Sequence, residues 1–157
     1  MYHARQGINM TEKVLQLSGK TESYLNDIAA KMGASLKVGF MAGATYPDGT
    51  PVATVAFLNE FGHGGVNAAP PRPFFRNMIN SESPNWGVKI SKLAKLSQYN
   101  GKAIFKIMGE DIKGALMQSI TDLTSPPLAE STKKAKGFDK PLIDTAHMIN
   151  SITYEVK

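Results

Sequence analysis

Three prolines within four residues, Pro70, Pro71 and Pro73 around Arg72, interrupt the chain where no helix or strand can pass. Each ring fixes φ near about −65° and removes a backbone donor, and each biases the residue before it away from helical angles. A stiff connector is dictated here, so the elements on either side are separate. On the N-terminal side, Val52, Val55, Ala56 and Leu58 follow Thr50-Pro51 and precede Gly62. Proline at a first helical position loses no useful donor. The Thr50 hydroxyl can cap free amides, and Gly62 supplies the stop. From His63 to Ala69 the run HGGVNAA reads as a flexible, projecting surface loop, because buried loop amides would lack partners. After Pro73 a short helix is expected, opening on Phe74-Phe75-Arg76.

Periodicity places the other elements. Residues 1–9 show little of it and read as a flexible N-terminal arm. From Thr11, Val14, Leu17, Leu25, Ile28 and Met32 keep helical spacing, with a break expected at Ser18-Gly19 and a left-handed stop at Gly33. Leu36, Val38 and Phe40 alternate with Lys37 and Gly39, the period of a half-buried strand over Ser35–Met41. Tyr46-Pro47-Asp48-Gly49 is a turn. A separate helix is expected from Pro84 to Leu96. The longest element runs from Gly101 to Leu123, where Ile104, Ile107, Met108, Ile112, Leu116 and Ile120 form one apolar stripe. Lys106 and Glu110 suit an exposed i,i+4 pair there. Gly109 and Gly114 each cost about 1 kcal/mol relative to Ala, and such a glycine permits close approach of a neighbour. A short helix over Ser131–Ala135 is expected to stop at Gly137. Near the end, Asp144 or Thr145 can cap the amides of Ala146 to Ile149, with Pro141 restraining the approach. Ile152, Tyr154 and Val156 alternate as a last strand. The expected fold is α+β: one domain, 10–157, with a small mixed or antiparallel sheet packed against a long helix.

Composition closes several routes. A chain of 157 residues suits one domain with one core. No run approaches the roughly 18 apolar residues of a membrane span, and no basic start with an apolar stretch suggests a signal peptide. With no Cys, disulfides and thiolate metal sites are excluded, in keeping with synthesis in a reducing cytoplasm. The net charge of +5 sits between Trp86 and Lys140, where ten Lys face five acids. Spread at helical intervals, Lys89, Lys92, Lys95, Lys102 and Lys106 read first as a solvated face. The functional alternative is contact with phosphates or an acidic neighbour, which would make the chain a basic nucleic-acid-binding module.

Catalytic chemistry finds no foothold. His3, His63 and His147 lack the close spacing of a metal-binding helix and read as loop or turn histidines. Gly62-His63-Gly64-Gly65 lacks the Lys and Ser or Thr of a phosphate-binding loop. No Gly-x-Ser-x-Gly elbow is present. No enzyme and no cofactor is expected. The eight Met residues read as core gap fillers. In the proline block, one of Phe74 and Phe75 is expected to plug the core, while Arg72 makes a contact between subunits. Glu60, Phe61, His63 and Arg76 complete the candidate subunit interface.

Two blocks carry a resemblance. The first is Asn59-Glu60-Phe61-Gly62 leading to Pro70-Pro71-Arg72-Pro73-Phe74-Phe75-Arg76. The second is Pro126-Pro127-Leu128, Ser131-Thr132, Lys136-Gly137 and Lys140-Pro141-Leu142-Ile143-Asp144-Thr145, followed by the strand Ser151-Ile152-Thr153-Tyr154. Together, from Ser35 to the C-terminus, they resemble the neck and tail-completion proteins of long-tailed bacteriophages. One departure is Ala146, where the family pattern has Gly. The resemblance implies a virion protein, assembled in the host bacterial cytoplasm, that forms a ring at the head–tail junction or upper end of the tail. It implies a closed homo-oligomer of about six or about twelve copies, with neck, head-completion and tail-tube proteins as neighbours. Genomic DNA would pass through the channel without sequence recognition, and no membrane is involved.

Overall fold

The first and last strands of the chain pair with each other. In a computed structural model, which describes residues 10–65, 68–127, 134 and 146–157, β1 (Leu36–Phe40) lies antiparallel to β2 (Ile152–Val156). The register runs from Leu36 opposite Val156 to Phe40 opposite Ile152. The helices are α1 (Met10–Met32), α2 (Val52–Phe61), α3 (Phe74–Leu96), α4 (Gly101–Asp122) and the single turn α5 (His147–Asn150). The domain is α+β: α3 and α4 pack side by side, and α4 lies against both strands.

Two apolar clusters hold this arrangement. Val52 and Ala56 of α2 meet Phe74 and Met78 of α3, Leu116 and Ile120 of α4, and Met148 and Ile152 near the C-terminus. Ala94, Ile104 and Met108 form the second cluster, with Leu36 and Met32 packed against it. Fully burying a side chain of this size stabilises by about 1.5–3 kcal/mol, so the helical stripe of α4 carries much of the fold. Ser119 Oγ donates to the Phe74 carbonyl at 2.7 Å and fixes the start of α3 on α4.

Several local expectations need correction. No break occurs at Ser18-Gly19; α1 is continuous, since one mid-helix glycine weakens a helix without ending it. Gly33 is not among the positive-φ residues, so α1 ends without a left-handed stop. Thr50 does not cap α2. Pro51 is the N-cap residue and makes no side-chain bond, while the Thr50 amide donates to Asp48 Oδ1 at 2.9 Å. That amide is the main reason the Asp48 carboxyl sits below its usual value. The two helices expected after Pro73 are one: α3 runs straight through Pro84. Pro84 and Asn80 are both exposed, so the carbonyl deprived of its partner can bond to water. At 23 residues, α1 and α3 each exceed α4, which has 22. Lys106 and Glu110 are not among the ion pairs of the described residues; the Glu110 carboxylate instead helps to raise the pKa of the Tyr154 hydroxyl. The arm 1–9 and the expected stops and caps at Gly137, Asp144 and Thr145 lie outside the described residues.

Other readings stand. β1 and β2 fall where alternation put them, and Gly62 ends α2 with φ 72°. A β-carbon on Gly62 would lie 2.7 Å from the Ala69 carbonyl oxygen and the Pro71 nitrogen, so glycine is required twice over. Ala146 has φ 58°, the left-handed region that favours glycine.

Candidate functional site

The proline block and the end of α2 form one corner, and a carboxylate holds it. Glu60 is buried, with 6% of its surface exposed. Its Oε2 accepts the Phe75 amide at 2.8 Å, and its Oε1 accepts the Arg76 amide at 3.2 Å and Arg76 Nε at 2.8 Å. The guanidinium also donates through NH2 to the Glu60 carbonyl at 2.9 Å. Each helix thus caps the other. A negative side chain from the end of α2 meets the free amides and positive dipole end of α3, and a positive one from α3 meets the carbonyl end of α2.

Sequence makes this possible because Pro73 starts α3 with preset backbone angles. The Arg72 amide, held between two prolines, donates to the Asn59 carbonyl at 2.7 Å. Across the loop, His63 and Ala69 exchange amide–carbonyl bonds at 3.0 Å each, pinning its base. The connector is therefore bonded back onto α2 through Arg72 and closed on itself at the base of the loop.

Around the clamp lies apolar surface. Phe57 and Phe61 stack at 4.7 Å between ring centroids on one exposed side of α2. They are 60% and 51% exposed. The Arg76 guanidinium sits 5.0 Å above the Phe61 ring, within cation–π range. A groove of about 350 Å³ runs between these rings and β1, lined by Val38, Phe40, Ala53 and Phe75 as well.

The sequence candidates divide accordingly. Phe74 is the core plug, 1% exposed, and Phe75 is half-buried, its ring close against Gly39. Phe61 and Arg76 reach the surface. Glu60 and Arg72 are buried in the chain itself, so neither presents an open contact; the interface reading shifts to Phe61, Arg76 and their neighbours. Arg72 Nε is buried with no partner, and burial pulls its guanidinium below the usual value. His63 is exposed in the loop. His147 Nε2 lies 2.9 Å from the Thr45 carbonyl and its ring 4.8 Å from that of Tyr46, a tie between α5 and the turn before α2. Sequence reading overlooked Phe57. The available signal was that α2 is apolar all round, at Val52, Val55, Ala56, Phe57, Leu58 and Phe61, more than one buried face can absorb.

Among the described residues no group of three or more His, Asp or Glu stands together to hold a metal ion. No helix among them is long and apolar enough to cross a membrane. No protein-family model, curated protein or solved structure matches this chain.

Proposed function

We propose that this chain is a structural subunit of a long-tailed bacteriophage virion, forming a ring at the head–tail junction or upper end of the tail. It supports joining of head and tail and the passage of DNA. The observation that carries the reading is the Glu60–Arg76 clamp. The first of the two blocks by which the chain resembles neck and tail-completion proteins makes a rigid corner beside an exposed aromatic surface. A part built for assembly needs that combination: a contact surface held in one pose, so that little freedom is lost on association. Phe57, Leu58 and Phe61, all exposed on α2, supply apolar area of the kind that marks a protein-contact site. Ring closure asks for two different patches meeting head to tail.

The mass of the purified protein, alone and with tail tubes, tests this reading. A ring in either setting, together with density at the portal end of the tail in virion reconstructions, supports it. A strict monomer that never enters particles overturns it.

The alternative, a basic nucleic-acid-binding module, rests on the lysines of α3 and α4. One of them is already engaged, since Lys89 Nζ lies 2.7 Å from Asp111 Oδ2. Salt-sensitive duplex binding at low salt is the signature that would favour this alternative.

A further inference from the structure

Arg72 is a charge folded into the chain without a counter-ion. Only 6% of the residue is exposed, and its Nε is buried with no acceptor. The buried carboxylate of this corner, Glu60, is already taken by Arg76 and two helix-start amides. Among the described residues no hydrogen bond or ion pair draws on the Arg72 guanidinium. Burial alone lowers its pKa, and no neighbouring charge offsets it. An unpaired buried charge opposes folding, whereas an apolar side chain of the same length would pack there without that penalty.

The backbone holds the side chain in this pose. Pro71 and Pro73 flank it with fixed φ. Its amide donates to the Asn59 carbonyl at 2.7 Å, and its carbonyl accepts the Phe74 amide at 2.8 Å. Arg72 thus offers no broad surface, yet it is not sealed. Its terminal nitrogens are not among the buried atoms that lack a partner. Since they have no partner among the described residues, they meet solvent. What a neighbour can reach is the tip alone, an end-on pair of N–H donors on a fixed stem. That fork matches the two oxygens of a carboxylate.

We propose that Arg72 is a pre-set receptor for an acidic side chain, Asp or Glu, of an adjoining protein subunit. This deepens the ring reading above and rests on it. The buried stem and pinned backbone hold the fork in one pose before the partner arrives, so little freedom is lost on pairing. Pairing supplies the counter-charge that the lone chain lacks, so a charge that weakens the monomer strengthens the assembly. Arginine is also among the residue types that anchor protein contacts. A protein carboxylate fits better than a nucleic-acid phosphate. Between Thr50 and Gly87 the only Lys or Arg residues are Arg72 and Arg76, and Arg76 is engaged by Glu60. A phosphate backbone is gripped by several cations together.

Arg72→Met keeps an unbranched stem and removes the charge. The two expected effects have opposite signs: a higher urea midpoint for the dilute monomer, and assembly weakened about tenfold or more. A midpoint that is unchanged or lower overturns the proposal, because the guanidinium then serves the fold itself. Arg72→Lys keeps the charge without the fork, so it should assemble more weakly than wild type; assembly at wild-type strength overturns the carboxylate receptor. Sedimentation of the full chain, alone and with tail tubes, separates the sources of the carboxylate. A loss seen with the protein alone assigns it to another copy, and a loss seen only with tubes assigns it to a neighbouring ring. Arg72→Met rings of unchanged mass and strength overturn the receptor but leave the ring reading standing. Wild-type protein that stays monomeric with tail tubes and never enters particles sinks both.

Discussion

Tyr154 rests on α4 at Gly109, where a β-carbon would stand 2.5 Å from the ring's Cδ2. The glycine sets how closely β2 approaches the helix beneath it. Gly109→Ala gains about 1 kcal/mol of helix propensity but forces overpacking that costs about 1–3 kcal/mol. The expected outcome is a net loss on the order of 1 kcal/mol. Gly114 has nothing within 4 Å of a β-carbon, so Gly114→Ala should stabilise by up to about 1 kcal/mol. Denaturant unfolding of both variants checks the pair, and equal effects at the two sites would contradict the close approach.

Removing the carboxylate of Glu60 leaves two helix-start amides without an acceptor and strips Arg76 of its partner. Glu60→Ala should cost about 2–3 kcal/mol, in the range of hydrogen bonds to charged groups. Glu60→Gln keeps one acceptor and should lose about 1 kcal/mol. Thermal or urea unfolding reads both. Because the clamp sets the angle between α2 and α3, assembly should fail in Glu60→Ala even under conditions where the monomer remains folded.

Asn100 Oδ1 accepts the Ala103 amide at 3.1 Å and starts α4. Asn100→Ala should cost about 1 kcal/mol. It follows Gln98 and Tyr99, both at positive φ, 51° and 62°. A non-glycine residue held there is strained by about 1–2 kcal/mol, so Gln98→Gly should stabilise, measurable by the same unfolding experiment.

The Tyr154 hydroxyl is pushed above its usual value of 10.0, by burial first and then by the Glu110 carboxylate. The folded state therefore holds this proton more tightly than the unfolded chain. Its contribution to stability is complete below that usual value and is lost as pH rises through the raised one. Spectrophotometric titration should show one tyrosine ionising late, and Glu110→Gln should move it down.

Phe57 is an exposed member of the aromatic pair on α2. Phe57→Ser should leave monomer stability within about 0.5 kcal/mol, as for most surface changes, yet weaken assembly. Sedimentation and incorporation into particles are the measurements; unchanged assembly would remove this surface from the proposed interface.

The elements were legible wherever local chemistry decides them. Alternation at Leu36, Val38 and Phe40 and again at Ile152, Tyr154 and Val156 marks the strands. The helix-stopping Gly62 and the apolar stripe of α4 are equally direct. Pro84 and Gly19 misled for different reasons: one exposed glycine costs a helix only about 1 kcal/mol, while the carbonyl that Pro84 leaves unpaired, on exposed Asn80, is open to water and Met78 and Ala94 of the same helix stay packed in the core. The candidate site was half legible. Glu60, Phe61, Phe74, Phe75 and Arg76 stand out as residue types beside a rigid connector, but nothing in their spacing separates a buried clamp from an open contact.

Period, glycine and proline determine from within the chain what each segment becomes, because they act through φ and ψ over a few neighbouring residues. Only the folded body decides that β1 meets a strand from the far end of the chain. Only there does Glu60 turn inward to cap a neighbouring helix while Phe57 stays in solvent. Those outcomes depend on which surfaces can be buried together at once, and burial is a property of the whole packed assembly of elements rather than of any one of them.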